Sequence, residues 1–153
     1  FVPNWKWAYG RHDQRGLIQV QPFVPAARAH EVFTAILAES QRVGLVPYLA
    51  VMKRHRPDPF WLTHGLDGWS LALDYKVHPS TRADLWRLAA WITRTTIDAG
   101  GRFYPAKDGV IGREDARRMW PRENLERFLA LKRRVDPSNL LQTDQSRRIL
   151  GAS

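Results

Sequence analysis

Hydrophobic and polar positions alternate along residues 17–24 (LIQVQPFV): Ile18, Val20 and Val24 fall on one side, Gln19 and Gln21 on the other. Period two over such a run predicts a half-buried strand. In the following PAARAHEVFTAILAESQRVG, the period lengthens to that of a helix, with Ala29, Val32, Phe33, Ile36, Leu37 and Val43 on one face and Gly44 as its stop. Residues 46–54 (VPYLAVMKR) read as a second strand, bulky and mostly buried, and HRPDPFWLTHGLDG as a loop. In residues 69–77 (WSLALDYKV) Trp69, Leu71, Leu73, Tyr75 and Val77 share one face, while Ser70, Ala72, Asp74 and Lys76 share the other. A second helix follows, with Thr81 and Asp84 as a capping box and Leu85, Leu88, Ala89, Ile92 and Thr96 as its core stripe. RFY is a short last strand.

The order strand, helix, strand, strand, helix, strand predicts an α+β fold: the ferredoxin-like split βαβ arrangement, an antiparallel sheet with helices on one face. The other face would carry Gln19, Gln21, Ser70 and Asp74, with Lys53 near the end of the second strand. Amides, a carboxylate and a lysine suit a ligand or a partner domain better than a dry core. Beyond the sheet, PRENLERFLALKRRVDPSNLL predicts a helix with Pro121 at its first position, Leu125, Phe128, Leu129 and Leu131 inward, and Pro137 closing it.

Composition narrows the chemistry. A chain of 153 residues suffices for one domain, and no apolar run approaches the roughly 20 residues of a membrane span. The absence of cysteine excludes disulfides, thiol nucleophiles and cysteine-ligated metals, and is compatible with a cytoplasmic location. The opening FVPNWKWAYG, without Met, reads as a fragment or a mature chain lacking its leading part. The net charge of +9 is spread along the chain: residues 113–148 hold 10 basic and 6 acidic residues, a net +4, leaving +5 elsewhere. Such a field suits nucleic acid, an anionic membrane surface or a phosphorylated ligand equally.

The five histidines never fall at metal spacing and read as loop or surface residues; no metal is expected. Neither GxGxxG nor GKS/T occurs, so no nucleotide cradle is apparent. Arg122, Arg127, Lys132, Arg133 and Arg134 read as a solvated helix face paired with Glu123 and Glu126. Trp86 and Trp91 are expected in the core; Trp5, Trp7, Trp61, Trp69 and Trp120 fall in or beside loops, where they could wall a pocket. GGRFYPAKDG (100–109) is distinctive. Paired glycines, a Tyr-Pro turn and Asp108 stiffen the backbone around Lys107, and a fixed backbone costs entropy that a task would justify.

Taken in order, GGRFYPAKD, MWP and LKRRVDPSNLLQTDQSRRI, preceded by NWKWAYG, LIQVQPFVP and WSLALDYKV, resemble the C-terminal part of FAD-linked oxidases of the vanillyl-alcohol oxidase superfamily, nearest the decaprenylphosphoryl-ribose 2′-oxidase branch. The resemblance runs from about Trp5 to Ile149. It implies that the whole chain is the cap, or substrate, domain of a larger flavoenzyme, laid over a flavin held mainly by an N-terminal FAD-binding domain. Lys107 matches the family lysine beside flavin and substrate, where its charge would stabilise the reduced, anionic flavin and orient the oxygen being oxidised. Tyr104 matches a pocket tyrosine, Gln21 a substrate-side glutamine and Lys53 a pocket lysine; Ser70, Ala72 and Asp74 complete the substrate surface. Ser70 stands where the branch has asparagine and Ala72 where it has cysteine, and KRHRPDP replaces a glycine-containing loop. These departures bear on the substrate more than on the flavin chemistry. The activity implied is oxidation of a sugar or polyol hydroxyl, a prenyl-phosphate-linked ribose among them, to a ketone by hydride transfer to FAD, with association to a membrane surface left open and no nucleic acid expected.

The alternative is a basic ferredoxin-like binding module for RNA or another anionic partner. RNA binding calls for exposed aromatics on the open sheet face, whereas the alternation places Gln, Ser, Ala and Asp there.

Overall fold

A computed structural model of the chain describes residues 16–107 and 110–151. The NWKWAYG segment with Trp5 and Trp7, His12, and Asp108 in the lysine turn lie outside the described residues. The strands are β1 (Leu17–Val20), β2 (Pro22–Pro25), β3 (Leu49–His55), β4 (Gly68–Lys76) and β5 (Arg102–Phe103). The helices are α1 (Ala29–Arg42), α2 (Arg82–Asp98), α3 (Arg113–Met119), α4 (Arg122–Val135) and α5 (Asp144–Leu150).

β1 and β2 are one predicted strand interrupted at Gln21. Both pair with the same edge of β4 in a single antiparallel register, from Leu17↔Lys76 through Val20↔Leu73 to Phe23↔Ser70 and Pro25↔Gly68. β3 takes the other edge of β4, with Leu49↔Asp74, Val51↔Ala72 and Lys53↔Ser70. β5 joins β2 through Phe23↔Arg102. Across the sheet the order is therefore β5, the β1–β2 strand, β4, β3, every pair antiparallel, which is the ferredoxin-like split βαβ topology expected from the sequence.

Helices cover one face. Val20, Val24, Leu71, Leu73, Tyr75 and Phe103 from the sheet form one core with Val32, Phe33 and Ile36 of α1 and Leu85, Leu88, Ala89 and Ile92 of α2. Buried apolar side chains of this size contribute roughly 1.5–3 kcal/mol each relative to exposure. One polar pair is threaded through the core: Ser40 Oγ donates to Ile36 O at 2.8 Å and lies 2.9 Å from the Tyr75 hydroxyl. Burial pushes the Tyr75 phenol above its ordinary pKa.

Several expectations are corrected. β3 is an edge strand and largely exposed, with Met52 at 59% exposure and Tyr48, just before the strand, at 54%. Its residues are bulky because strands favour bulk, but among the described residues no layer covers their outer side. Leu37 is also exposed, because α1 turns its inward face through Ile36 and Ser40 instead. Thr81 starts α2 without a side-chain cap; Asp84 pairs with Arg87. The inward face of α4 is half-buried rather than core, since α4 rests on the outside of the fold. Trp86 and Trp91 pack partly buried against the core's margin, with the Arg82 guanidinium 5.2 Å from the Trp86 ring. The basic face of α4 pairs as expected, Arg122 with Glu126 and Arg127 with Glu123. Among the described residues no helix is long and apolar enough to cross a membrane.

Gly100 adopts φ +76°, the left-handed conformation that ends α2. Gly101 then passes so close to β2 that a Cβ would stand 2.5 Å from Phe23 O and 2.7 Å from Thr96 O. This is what admits β5 to the sheet. Gly101→Ala is expected to destabilise the fold by about 1–3 kcal/mol, because backbone on both sides must move, with the loss read from the denaturant midpoint of unfolding.

Candidate functional site

Side chains opposite one another in an antiparallel pair share a face. The register thus gathers Gln19, Phe23, Ser70, Ala72, Asp74, Val51, Lys53 and Arg102 on the face away from the helices. This is the polar face read from the alternation. It is more deeply buried than expected: Ser70 is 0% exposed, Gln21 4%, and Ala72 and Asp74 5%. Lys53 is exposed at its edge and Lys107 half-buried.

Two hydrogen-bonded groups occupy it. Gln19 Nε2 donates to Asp74 Oδ1 at 2.5 Å. Gln21 Nε2 donates to Ser70 Oγ at 3.0 Å, and the same oxygen lies 2.8 Å from His55 Nε2. Gln21 Oε1 is buried without a hydrogen-bond partner among the described residues. Leaving such an acceptor unpaired costs roughly 1–3 kcal/mol.

A row of rings connects this group to the lysine turn. The Phe23 ring centroid lies 4.6 Å from that of His55 and 4.7 Å from that of His64; His64 in turn lies 4.4 Å from Tyr104. Lys107 Nζ ends the row, 5.7 Å from the Tyr104 ring centroid. Every site residue expected from the sequence is therefore placed on this one face or at its rim. His55, His64 and Phe23 were not expected there. Metal-ligand spacing excludes the histidines from a metal site and points to loop or surface positions, yet both are half-buried here. Extending the period from Gln19 and Gln21 to Phe23, and from Lys53 to His55, identifies two of the three; His64 comes from the loop and has no such signal.

That loop is pinned. Thr63 Oγ1 donates to Asp58 Oδ2 at 2.5 Å and accepts from Gly65 N at 2.8 Å. Thr63 O accepts from Trp120 Nε1 at 3.0 Å, and Gly65 O accepts from Arg102 Nη1 at 2.9 Å. Trp120 is thus a buried buttress, while Trp61 is exposed and Trp69, half-buried, lies under Arg54. The lysine turn is pinned likewise. Residues 105–107 form one tight helical turn against β1, with Lys107 N bonded to Tyr104 O at 3.0 Å and Gln145 of α5 donating to Pro105 O.

Burial holds both histidines below their ordinary pKa, for His55 reinforced by His64, Lys53 and Arg54, and for His64 opposed by Asp58. Among the described residues no group of three or more His, Asp or Glu could hold a metal.

No protein-family model matches the chain. Almost all of it is nonetheless similar to part of an oxidase. That relative is the decaprenylphosphoryl-β-D-ribose oxidase of Mycolicibacterium smegmatis, 31% identical over 147 residues, a match that covers 95% of this chain and 30% of the relative. The chain thus spans about a third of the length of the relative.

A depressed histidine pKa means the folded state binds fewer protons than the unfolded one, so this stability is present above about pH 6.5 and falls as the pH drops through the folded values. Thermal unfolding followed from pH 8 to pH 5 should show the melting temperature falling in this window, above that of the carboxylates. In the double variant His55→Gln/His64→Gln that fall should be largely removed.

Proposed function

We propose that this chain is the substrate-capping part of a larger FAD-dependent oxidoreductase that oxidises a sugar or polyol hydroxyl to a ketone. The observation carrying this reading is the similarity to a sugar oxidase over 95% of the chain. The chemistry of the polar face supports it. An alcohol donates a hydrogen bond, and Gln21 Oε1, buried and without a partner among the described residues, can accept it and hold the hydroxyl in place; the hydroxyl proton itself leaves to a base outside this face. Oxidation also builds negative charge on the oxidant, and Lys107 holds a cation at the rim over Tyr104.

These residues fit a flavin lying against the sheet: Lys107 and Tyr104 would face the ring, and Gln21, with Lys53 at the margin, would face the substrate. When bound, FAD supplies the hydride acceptor. The chain's own residues bind and orient. Lys107 attracts the alcohol oxygen and stabilises charge as it develops. Tyr104, wedged between His64 and Lys107, fixes where that cation stands. Ser70 and Ala72, both buried, set the depth of the pocket floor, and Asp74, bonded to Gln19, keeps a carboxylate from facing the substrate directly. The rest of the flavin site belongs to an N-terminal domain, the natural partner of this face. The relative's printed substrate, a decaprenylphosphoryl ribose, names the sugar class in which to search.

In the complete protein, Lys107→Ala should slow flavin reduction by about 10²–10³-fold. The melting temperature should hardly change, since the side chain is half-exposed at the rim. Stopped-flow bleaching of the flavin bands reads the first effect, and near-normal rates would remove the lysine from the mechanism. The 153-residue chain by itself is expected to bind FAD weakly or not at all; tight binding in an equilibrium titration would refute this division of labour.

A further inference from the structure

Gln21, Ser70 and His55 form a hydrogen-bonded chain across the polar face. Ser70 is wholly buried, and the side-chain atoms bonded to its hydroxyl are Gln21 Nε2 at 3.0 Å and His55 Nε2 at 2.8 Å. A serine hydroxyl has one proton to give. Ser70 already receives the Gln21 N–H, which leaves its own proton available to His55 Nε2. In that arrangement neutral His55 carries its proton on Nδ1, and the far end of the chain is Gln21 Oε1, which has no partner among the described residues.

We propose that His55 is a positioning residue which, acting through Ser70, decides whether Gln21 offers an acceptor or a donor to the substrate. With His55 neutral, the Gln21 amide nitrogen is held by Ser70 and the carbonyl oxygen is left for a substrate hydroxyl. A proton taken from solvent by His55 Nε2 turns that nitrogen into a donor. Ser70 Oγ must then accept from His55, and its own proton moves to the other side chain bonded to it among the described residues, the Gln21 amide. The amide rotates by half a turn, Oε1 accepts from Ser70, and the NH₂ group takes the outward place. No bond other than hydrogen bonds changes, and one proton is gained. An alcohol donor suits the neutral arrangement alone. The consequence for catalysis rests on the oxidoreductase reading above; the relay itself does not.

The surroundings favour the neutral arrangement. Lys53 and Arg54 flank His55 on β3, and His64 approaches from the pinned loop. The Phe23 ring of β2 covers the imidazole, and Ser70 is what meets it from β4. The acidic groups nearby are engaged elsewhere, Asp67 with Arg54 and Asp58 with Thr63. Desolvation and three cationic or ionisable neighbours act in one direction, so the relay reverses below the ordinary histidine range.

The test is nitrogen NMR of the isotopically labelled protein. Ring-nitrogen shifts at pH 8 should show His55 with Nδ1 protonated and Nε2 bare. As the pH falls, the Gln21 side-chain amide resonances should move with the same midpoint as His55. Ser70→Ala should uncouple the two, while His55→Gln, whose carbonyl accepts from Ser70 without titrating, should hold the Gln21 amide in one state at every pH. In the flavin-loaded full-length protein, KM for a reducing polyol should rise about tenfold per pH unit below that midpoint, with kcat less affected, and His55→Gln should abolish the rise. An Nε2-protonated His55 at pH 8, or Gln21 resonances that stay flat through its titration in the unsubstituted protein, would overturn the relay. Spectroscopic coupling without any flavin reduction at any pH would support the relay and sink the oxidoreductase reading instead.

Discussion

Strand β4 is hydrogen-bonded along both edges, and everything else in the fold is set by its register. Its side chains alternate between two incompatible surroundings. Leu71, Leu73 and Tyr75 enter the core beneath the helices, while Ser70, Ala72 and Asp74 face the other way. A slip of one residue against either neighbour would exchange these sets, exposing leucines and burying a carboxylate in the core. The apolar energy of the helix-covered face thereby fixes what stands opposite Ser70 on the polar face: Phe23 on one side and Lys53 on the other.

The rim of the polar face is built by more distant means. Neither the loop that carries His64 nor the turn that carries Lys107 belongs to the sheet ladder. Each is held by side chains from the helical part of the chain or from β5: Trp120 and Arg102 on the loop, Gln145 on the turn. Each of these bonds ends on a backbone carbonyl, which fixes the path of the chain and leaves the side chains of the loop free to present chemistry. The C-terminal part of the chain thus positions these groups through the backbone that carries them.

The sheet was legible because period-two alternation is a direct record of which side of a strand is covered. The two helices of the split βαβ unit were legible for the same reason at the longer period. Edge and centre were not distinguishable: residues 46–54 read as buried because bulky β-branched and aromatic residues occur in both positions, and only pairing reveals that β3 has a single neighbour. Thr81 and Asp84 have the composition of a capping box, but Arg87 one turn on competes for the carboxylate. Within the site, the residues on strands were found by period. Lys107 stood out by its stiff surroundings, with its role implied by family resemblance. His64 was invisible, because a loop's path depends on bonds such as Trp120 to Thr63 that join residues far apart in the chain.

β3 has one further property. Among the described residues no strand lies on its outer edge, and an open edge is a template on which a second copy can pair. Tyr48 and Met52 make that edge adhesive. Lys53 and Arg56, both exposed, lie along or just beyond it, so antiparallel pairing of two copies would bring like charges together. Repulsion of this kind weakens as salt shortens its range to about 10 Å or less. The positive charge that first suggested an anionic partner therefore also keeps the sheet from growing by self-association, and ionic strength becomes a determinant of the protein's colloidal behaviour.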